Sequence, residues 1–252
     1  DLPFDLRPVP AAGLGYLDLD RFRSEYLPSA VAVEVLSQNE RNIEQQLASL
    51  RFVSSDEPLV PTVTGVLVVG RDPRAFIPGA YIQFARFDGT DLAAPVKAQQ
   101  EIDGAVADQM RVLDEVFRAH VEVASSFAGR LREEQSPDYP LAALQQLARN
   151  AVMHRSYEGT NAPVRISWFR GRIEIQSPGG PFGQVTPQNF GQPGVTDYRN
   201  PYLAEAMRNL GYVQRFGVGI QIACKALAEN GNPEPKFVVE PTHILVEVRA
   251  RP

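Results

Sequence analysis

The sequence predicts an α+β protein: a two-layer α/β sandwich preceded by a smaller mixed α/β region. Three stretches carry this expectation. From Pro140 to Tyr157 apolar residues recur at helical spacing; from Val164 to Gln176 the chain alternates like two strands about an Arg170–Gly171 turn; and Lys236–Glu240 with His243–Arg249 alternate like a closing hairpin around Pro241-Thr242. Two to three helices laid on one face of an antiparallel or mixed sheet bury both apolar surfaces at once.

Taken in order, residues 1–16 are rich in Pro and Gly and read as an extended lead-in. Leu17–Leu27 reads as a short helix capped by Asp18, and Asn39–Leu50 as a second, with Ile43, Leu47 and Leu50 in phase. Pro61–Gly70 is ambiguous from composition alone, because its valines favour a strand. Ala80–Phe87 alternates and stops at Asp88-Gly89, which reads as a strand. Ala105–Val121 reads as a helix and Glu122–Leu131 as an edge strand. In the helix from Pro140, Ser136 and Pro137 are start signals, and Leu141, Leu144, Leu147, Ala148, Ala151 and Val152 form one apolar stripe. Pro201–Leu210 and Ile220–Ala228 complete the helices, with Gly231-Asn232-Pro233 breaking the chain before the last hairpin.

Composition excludes several classes of function. The single cysteine, Cys224, rules out a disulfide within the chain and a multi-cysteine zinc site, and suits a reducing, cytoplasmic setting. His120, His154 and His243 have no metal-binding spacing, and no Ser/His/Asp arrangement stands out. No apolar run approaches a membrane span. The net charge of −5 and the absence of a basic tract argue against duplex DNA as a direct ligand of this segment, since phosphate neutralisation supplies much of such affinity. Any DNA contact is expected to lie outside it. The chain opens at Asp1 without a methionine and reads as a piece of a longer protein.

The chemistry-bearing residues fall in a series. Gln146, Asn150 and His154 lie at i, i+4 and i+8 and share a helix face away from the apolar stripe. Next come a strand running into Ser177-Pro178-Gly179-Gly180, then Arg199-Asn200-Pro201, then Gly217-Val218-Gly219-Ile220 opening a helix. Glycines at a helix start let backbone N–H groups approach phosphate, where the helix dipole also favours negative charge. Asn200 before Pro201 reads as a cap for the helix that follows. Arg155 with His154 reads as positive charge complementing the end of the helix.

HRSY, the strand ending in SPGG, RNP and GVGI, in this order from about Tyr139 to Cys224, resemble the ATPase-like domain of bacterial and archaeal transcriptional regulators. That family is a branch of the gyrase, heat-shock chaperone, histidine kinase and MutL ATPase superfamily, with a Bergerat-type ATP-binding fold. Leu59–Gly89 resembles the segment that precedes this module in regulators carrying a Schlafen/AlbA-like N-terminal domain, and it implies a helix from near Thr62 to Gly70. The resemblance thus implies residues 1–103 as an N-terminal region (tail of the Schlafen/AlbA-like module plus connector) and residues 104–252 as a histidine-kinase-like ATPase domain.

It further implies ATP or ADP with Mg²⁺ as ligand, and a nucleotide site of Asn150, Ser177, Gly179, Gly180, Arg199, Gly217 and Gly219, with Asn150 as the metal ligand. Two positions depart from the pattern. Where the superfamily has a glutamate that activates water, this chain has Gln146, which takes no proton near neutral pH. Where an aspartate recognises the adenine amino group, it has Ser177, which brings a hydroxyl and no charge. The expectation is therefore nucleotide binding with little or no hydrolysis in a regulator that contacts DNA elsewhere and is compatible with a homodimer. The alternative is a degenerate fold serving as a dimerisation or interaction scaffold without nucleotide.

Overall fold

A computed structural model of the chain describes residues 2–126, 134–214 and 217–252. Residues 127–131 of the expected edge strand, and Arg215 and Phe216 before the glycine pair, lie outside the described residues.

The N-terminal segment is built on caps that the sequence announces. Asp18 accepts from the Arg21 N–H at 3.0 Å and starts α1 (Leu19–Arg21), which continues through a π-helical turn at Phe22–Tyr26 into α2 (Leu27–Ala30). After a short α3 (Val33–Ser37), Asn42 and Gln45 form a reciprocal capping box that opens α4 (Ile43–Ser49). Thr62 caps α5 (Val63–Val69), so the valine-rich stretch is a helix, buried on every side. A seven-residue helix with no exposed face needs no amphipathic pattern, which is why its composition looked strand-like. The lead-in is less plain than its prolines suggested. It makes 3-10 turns at Phe4–Leu6 and Leu14–Tyr16 and isolated bridges from Pro8 to Thr62 and from Leu17 to Gly70.

Downstream come β1 (Ile82–Phe87), β2 (Val96–Ile102), α6 (Val106–His120), β3 (Val123–Ser126), β4 (Glu134–Pro137), α7 (Leu141–His154), β5 (Val164–Phe169), β6 (Arg172–Pro178), α8 (Pro201–Asn209), α9 (Gly219–Asn230), β7 (Lys236–Val239) and β8 (His243–Arg249). One sheet runs β2-β1-β5-β6-β8-β7, antiparallel throughout except for the parallel pair β1–β5, while β3 and β4 form a separate hairpin. The sheet passes through the expected boundary at residue 103: β1 and β2 lie before it and the other four strands after it, and β1 pairs directly with β5.

Register sorts the two faces of the sheet. Ile166 pairs with Ile175, which pairs with Val246; Trp168 pairs with Ile173, which pairs with Val248. These residues are buried with Ala143, Leu144, Leu147, Ala148 and Val152 of α7 and Met110, Leu113 and Phe117 of α6. Each Val, Leu, Ile, Met or Phe side chain among them withdrawn from water contributes about 1.5–3 kcal/mol, so this shared apolar layer dominates the assembly of sheet and helices. On the other face Glu174 sits opposite Glu247 and Arg172 opposite Arg249. The like-charge pairs are offset by bonds along each strand, Arg172 to Glu174 and Arg249 to Glu247, both 2.8 Å. The result is the expected two-layer α+β arrangement, with helices on one face and a charged surface on the other.

Candidate functional site

α7 carries the site because its stripe and its polar face are separate. Leu144, Leu147, Ala148 and Val152 go to the sheet and neighbouring helices, while Gln146, Asn150 and His154 line a pocket above it. The opposite wall is Ser177, Ile175, Ile244 and Val246 from the ends of β6 and β8. The start of α9 (Gly219, Ile220 and Gln221) and Gly217 form the end wall. The segment that follows β6, residues 180–199 (the strap), contributes Gly180, Phe182, Val185, Phe190, Val195 and Tyr198 to the remaining lining. The remaining cavity is about 100 Å³.

Of the residues expected to hold a nucleotide, Asn150, Ser177, Gly180, Gly217 and Gly219 meet in this one pocket, together with Gln146. Asn150 and Ser177 thus bring a carboxamide and a hydroxyl to the lining of the pocket. Gly179 and Arg199 are not part of the lining.

The glycines turn out to have protein neighbours. Gly179 (φ +92°) lies so close to the end of α7 that a Cβ would stand 2.8 Å from that of Ser156. At Gly180 a Cβ would meet the carbonyl oxygens of Pro241 and Glu240 at 2.5 and 2.6 Å. Their lack of a side chain therefore lets the end of β6 pass between α7 and the β7–β8 turn, a packing demand in its own right. At Gly217 (φ +64°) the neighbour is the Thr196 hydroxyl, 2.4 Å from a hypothetical Cβ, and at Gly219 it is the Gln146 carboxamide oxygen, 3.3 Å away.

The HRSY and RNP motifs perform structural tasks that their sequence did not disclose. Arg155 is 1% exposed and its hydrogen-bond partners are backbone carbonyls. It donates to the carbonyls of Ser156 at 3.0 Å, Ala162 at 2.9 Å and Gly79, and lies over the Tyr157 ring. Burial holds its pKa below the usual guanidinium value. Asn200 does not cap α8 with its side chain. Its amide nitrogen donates to Met153 and Arg155 carbonyls at 2.9 and 2.8 Å and closes the end of α7 instead. The start of α8 is capped from far away: Asp5 Oδ2 accepts from the Tyr202 and Leu203 N–H groups at 2.7 and 2.9 Å. The last carbonyls of α7 are buried and need donors, and Asn200 is the residue placed to supply them.

His154 is not a cation complementing the helix end either. Burial and then the nearby charge of Arg199 push its pKa down to about 4, so near neutral pH the ring is uncharged. It stacks on Tyr198, with centroids 5.3 Å apart and planes at 18°. Arg199 donates to the Gly180 carbonyl at 3.1 Å and lies over the Phe182 ring, joining the two ends of the strap. Glu158, the nearest acidic residue after α7, pairs with Arg7 on the surface and is outside the pocket. The acid in the described lining is Asp197, whose two oxygens accept from the N–H groups of Tyr198 at 2.8 Å and Gln184 at 3.1 Å.

Among the described residues no group of three His, Cys, Asp or Glu side chains is placed to hold a metal. Asn150 offers one neutral oxygen to the pocket, a donor of the kind that Mg²⁺, which binds through few protein oxygens while keeping several waters, accepts. The strap residues and Tyr198 were missed from sequence; the available signal was a long aperiodic segment rich in Pro and Gly within a compact region, which often covers a site.

Comparison with known proteins adds two findings. Residues 161–248 match the family model described as "Putative ATP-dependent DNA helicase recG C-terminal", an ATPase-like domain. The match includes Ser177, Gly179, Gly180, Arg199, Gly217 and Gly219, and begins after Gln146 and Asn150. No curated protein matches the chain. Among solved structures, the DIP2311 protein from Corynebacterium diphtheriae superposes with a TM-score of 0.71 at 20% identity, over 99% of this chain and 48% of that one. The chain thus spans about half the length of that protein, and at this identity the likeness is one of fold. No helix among the described residues is long and apolar enough to cross a membrane. The region from Asn161 to Val248 is accordingly similar to an ATPase-like domain, set within an α+β fold that the protein from Corynebacterium diphtheriae shares.

Proposed function

We propose that this chain is a nucleotide-binding regulatory module, taking ATP or ADP with Mg²⁺, within a cytoplasmic transcriptional regulator that contacts DNA through regions outside the segment. The observation that supports this best is the meeting of Asn150 and Gln146 on α7 with Ser177 on β6 and the first residues of α9 around one pocket. In this reading Asn150 would supply an oxygen to the metal, and the N–H groups at the start of α9 would favour the negative charge of the phosphates. Ser177 and Ile175 would contact the base. The metal would neutralise phosphate charge. With Gln146 in place of a carboxylate, water beside the terminal phosphate is positioned but not deprotonated, so turnover is small. A domain organisation of 1–103 and 104–252 goes with this proposal, the first region placing α5 and β1 against the second.

One observation favours a second reading, a scaffold without nucleotide: the space left beneath the strap is about 100 Å³, too little for a nucleotide unless the strap moves. A thermal-shift titration with Mg-ATP and Mg-ADP separates the two. A ligand confined to the folded state and present at about 100 times its Kd adds roughly 2.7 kcal/mol. No stabilisation by millimolar nucleotide would favour the scaffold.

A further inference from the structure

We infer that the charged outer face of the sheet is a docking surface for a second copy of this chain, giving a two-fold dimer. The inference does not rest on the proposed nucleotide site. Strand register sets the charges of this face in two rows of opposite sign. Arg172 on β6 lies opposite Arg249 on β8, and two residues along the same strands Glu174 lies opposite Glu247. The rows continue on β5 as Phe169 and Ser167, and Lys236 on β7 ends the acidic row at the sheet edge. Arg172, Glu174, Glu247 and Arg249 border one surface depression of about 400 Å³. Like charges directly opposite each other across strands are unfavourable, and the bonds along each strand leave both rows in place. All four side chains can be reached: Arg249 is 63% exposed, and Glu247, the most covered, 17%.

A row of arginines beside a row of glutamates is self-complementary. A two-fold axis lying between the rows, in the plane of the face and at right angles to the strands, lays each arginine row on the other copy's glutamate row. Arg172 then faces the partner's Glu174, and Arg249 the partner's Glu247. The operation repeats each contact, so four charge pairs form, as an interface built from one patch on both copies requires. Sheets stacked in this way keep their strand directions aligned, one of the two usual ways that sheets pack. The size is also adequate. Six strands, five of them six or seven residues long, give each copy a face of about 600 Å², and about 1,200 Å² in total is within the range of stable interfaces. The pocket beside α7 lies on the other side of the sheet, so both pockets stay open in the dimer.

The test is sedimentation velocity of the whole chain. It should sediment as a dimer at about 100 µM protein in about 50 mM salt, and association should weaken at least about tenfold in about 500 mM salt as the facing pairs are screened. A second form exchanges the rows: Arg172→Glu, Glu174→Arg, Glu247→Arg and Arg249→Glu together keep an opposite-charge pair along each strand and keep the face self-complementary. The exchanged form should associate with itself, yet the two forms should not associate with each other, since arginine would face arginine. Should the exchanged form fail to fold, Glu247→Gln alone still decides. It should weaken association about tenfold at unchanged circular dichroism, because the two-fold removes two facing pairs at once. A monomer at low salt, association indifferent to salt, free mixing of the natural and exchanged forms, or unchanged association of Glu247→Gln overturns the docking surface. No nucleotide enters any of these measurements, so their failure leaves the proposed site to its own titration.

Discussion

Asp5 offers a test of how the N-terminal segment is joined to the rest of the chain. Its carboxylate is fully buried and caps α8 across 198 positions, while its backbone carbonyl accepts from the Thr64 hydroxyl at 2.7 Å. Burial raises its pKa from 3.8 to about 6, outweighing the backbone N–H groups of Leu203, Tyr202 and Asp5 itself that lower it. The folded state therefore holds the proton more tightly than the unfolded chain. The stabilisation is fully present below about pH 3.8 and is lost as pH rises through 6. A separation of about two pK units corresponds to about 3 kcal/mol. In Asp5→Asn the amide oxygen can still accept both N–H groups, but nothing titrates. Denaturant melts of the two proteins between pH 4 and 7.5 should show wild-type stability falling relative to Asp5→Asn by up to about 3 kcal/mol, most of it between pH 4 and 6. Parallel curves would refute the reasoning, and a wild type gaining on the variant with pH would show that helix capping, not desolvation, dominates.

Other outcomes follow from the site and its supports. Asn150→Ala should weaken Mg-nucleotide binding measured by calorimetry while leaving the melting temperature within about 2 °C, since a partly exposed side chain off the core seldom changes stability by more than about 0.5 kcal/mol. Gln146→Glu should raise phosphate release from ATP, a base being worth about 10²–10⁴-fold, whereas ready hydrolysis by the natural protein, undiminished in Gln146→Ala, would reject the placement of the site. Arg155→Leu should cost about 3 kcal/mol or more in a denaturant melt, because buried carbonyls of Gly79 and Ala162 lose their donor. Duplex DNA should bind this segment poorly at physiological salt, and sub-micromolar, salt-sensitive binding in an anisotropy titration would reveal a basic face that the composition hides.

Elements whose signals are local were legible in the sequence. The β5–β6 hairpin announced itself by alternation around Gly171, α7 by its stripe, and α1 by the Asp18 cap. Those shaped by distant partners were not. β2 reads Val-Lys-Ala-Gln-Gln-Glu-Ile, polar on both faces, because it is an edge strand with little to bury, and no period separates such a strand from a loop. The Asp5 cap is invisible for a different reason: nothing in FDL points to a helix start some 200 residues later.

The candidate site shows a third kind of limit. Of the residues that order and spacing single out, Gln146, Asn150, Ser177, Gly180, Gly217 and Gly219 share one pocket, while Gly179 and Arg199 are outside its lining. Spacing does not say what fills the room a glycine leaves. At Gly179 and Gly180 it is Ser156 and the Pro241 turn, at Gly217 the strap's own Thr196, and at Gly219 the side chain of Gln146. A glycine kept for close packing and one kept for phosphate look alike in sequence, since both need only a missing Cβ. The two demands also coincide in space here. The β6 end and the α9 start lie tightly against their neighbours where the pocket walls meet, so at Gly179, Gly180 and Gly217 packing alone accounts for the missing Cβ. A role of Gly217 and Gly219 toward nucleotide, as proposed above, is therefore read from ligand binding and not from the need for glycine.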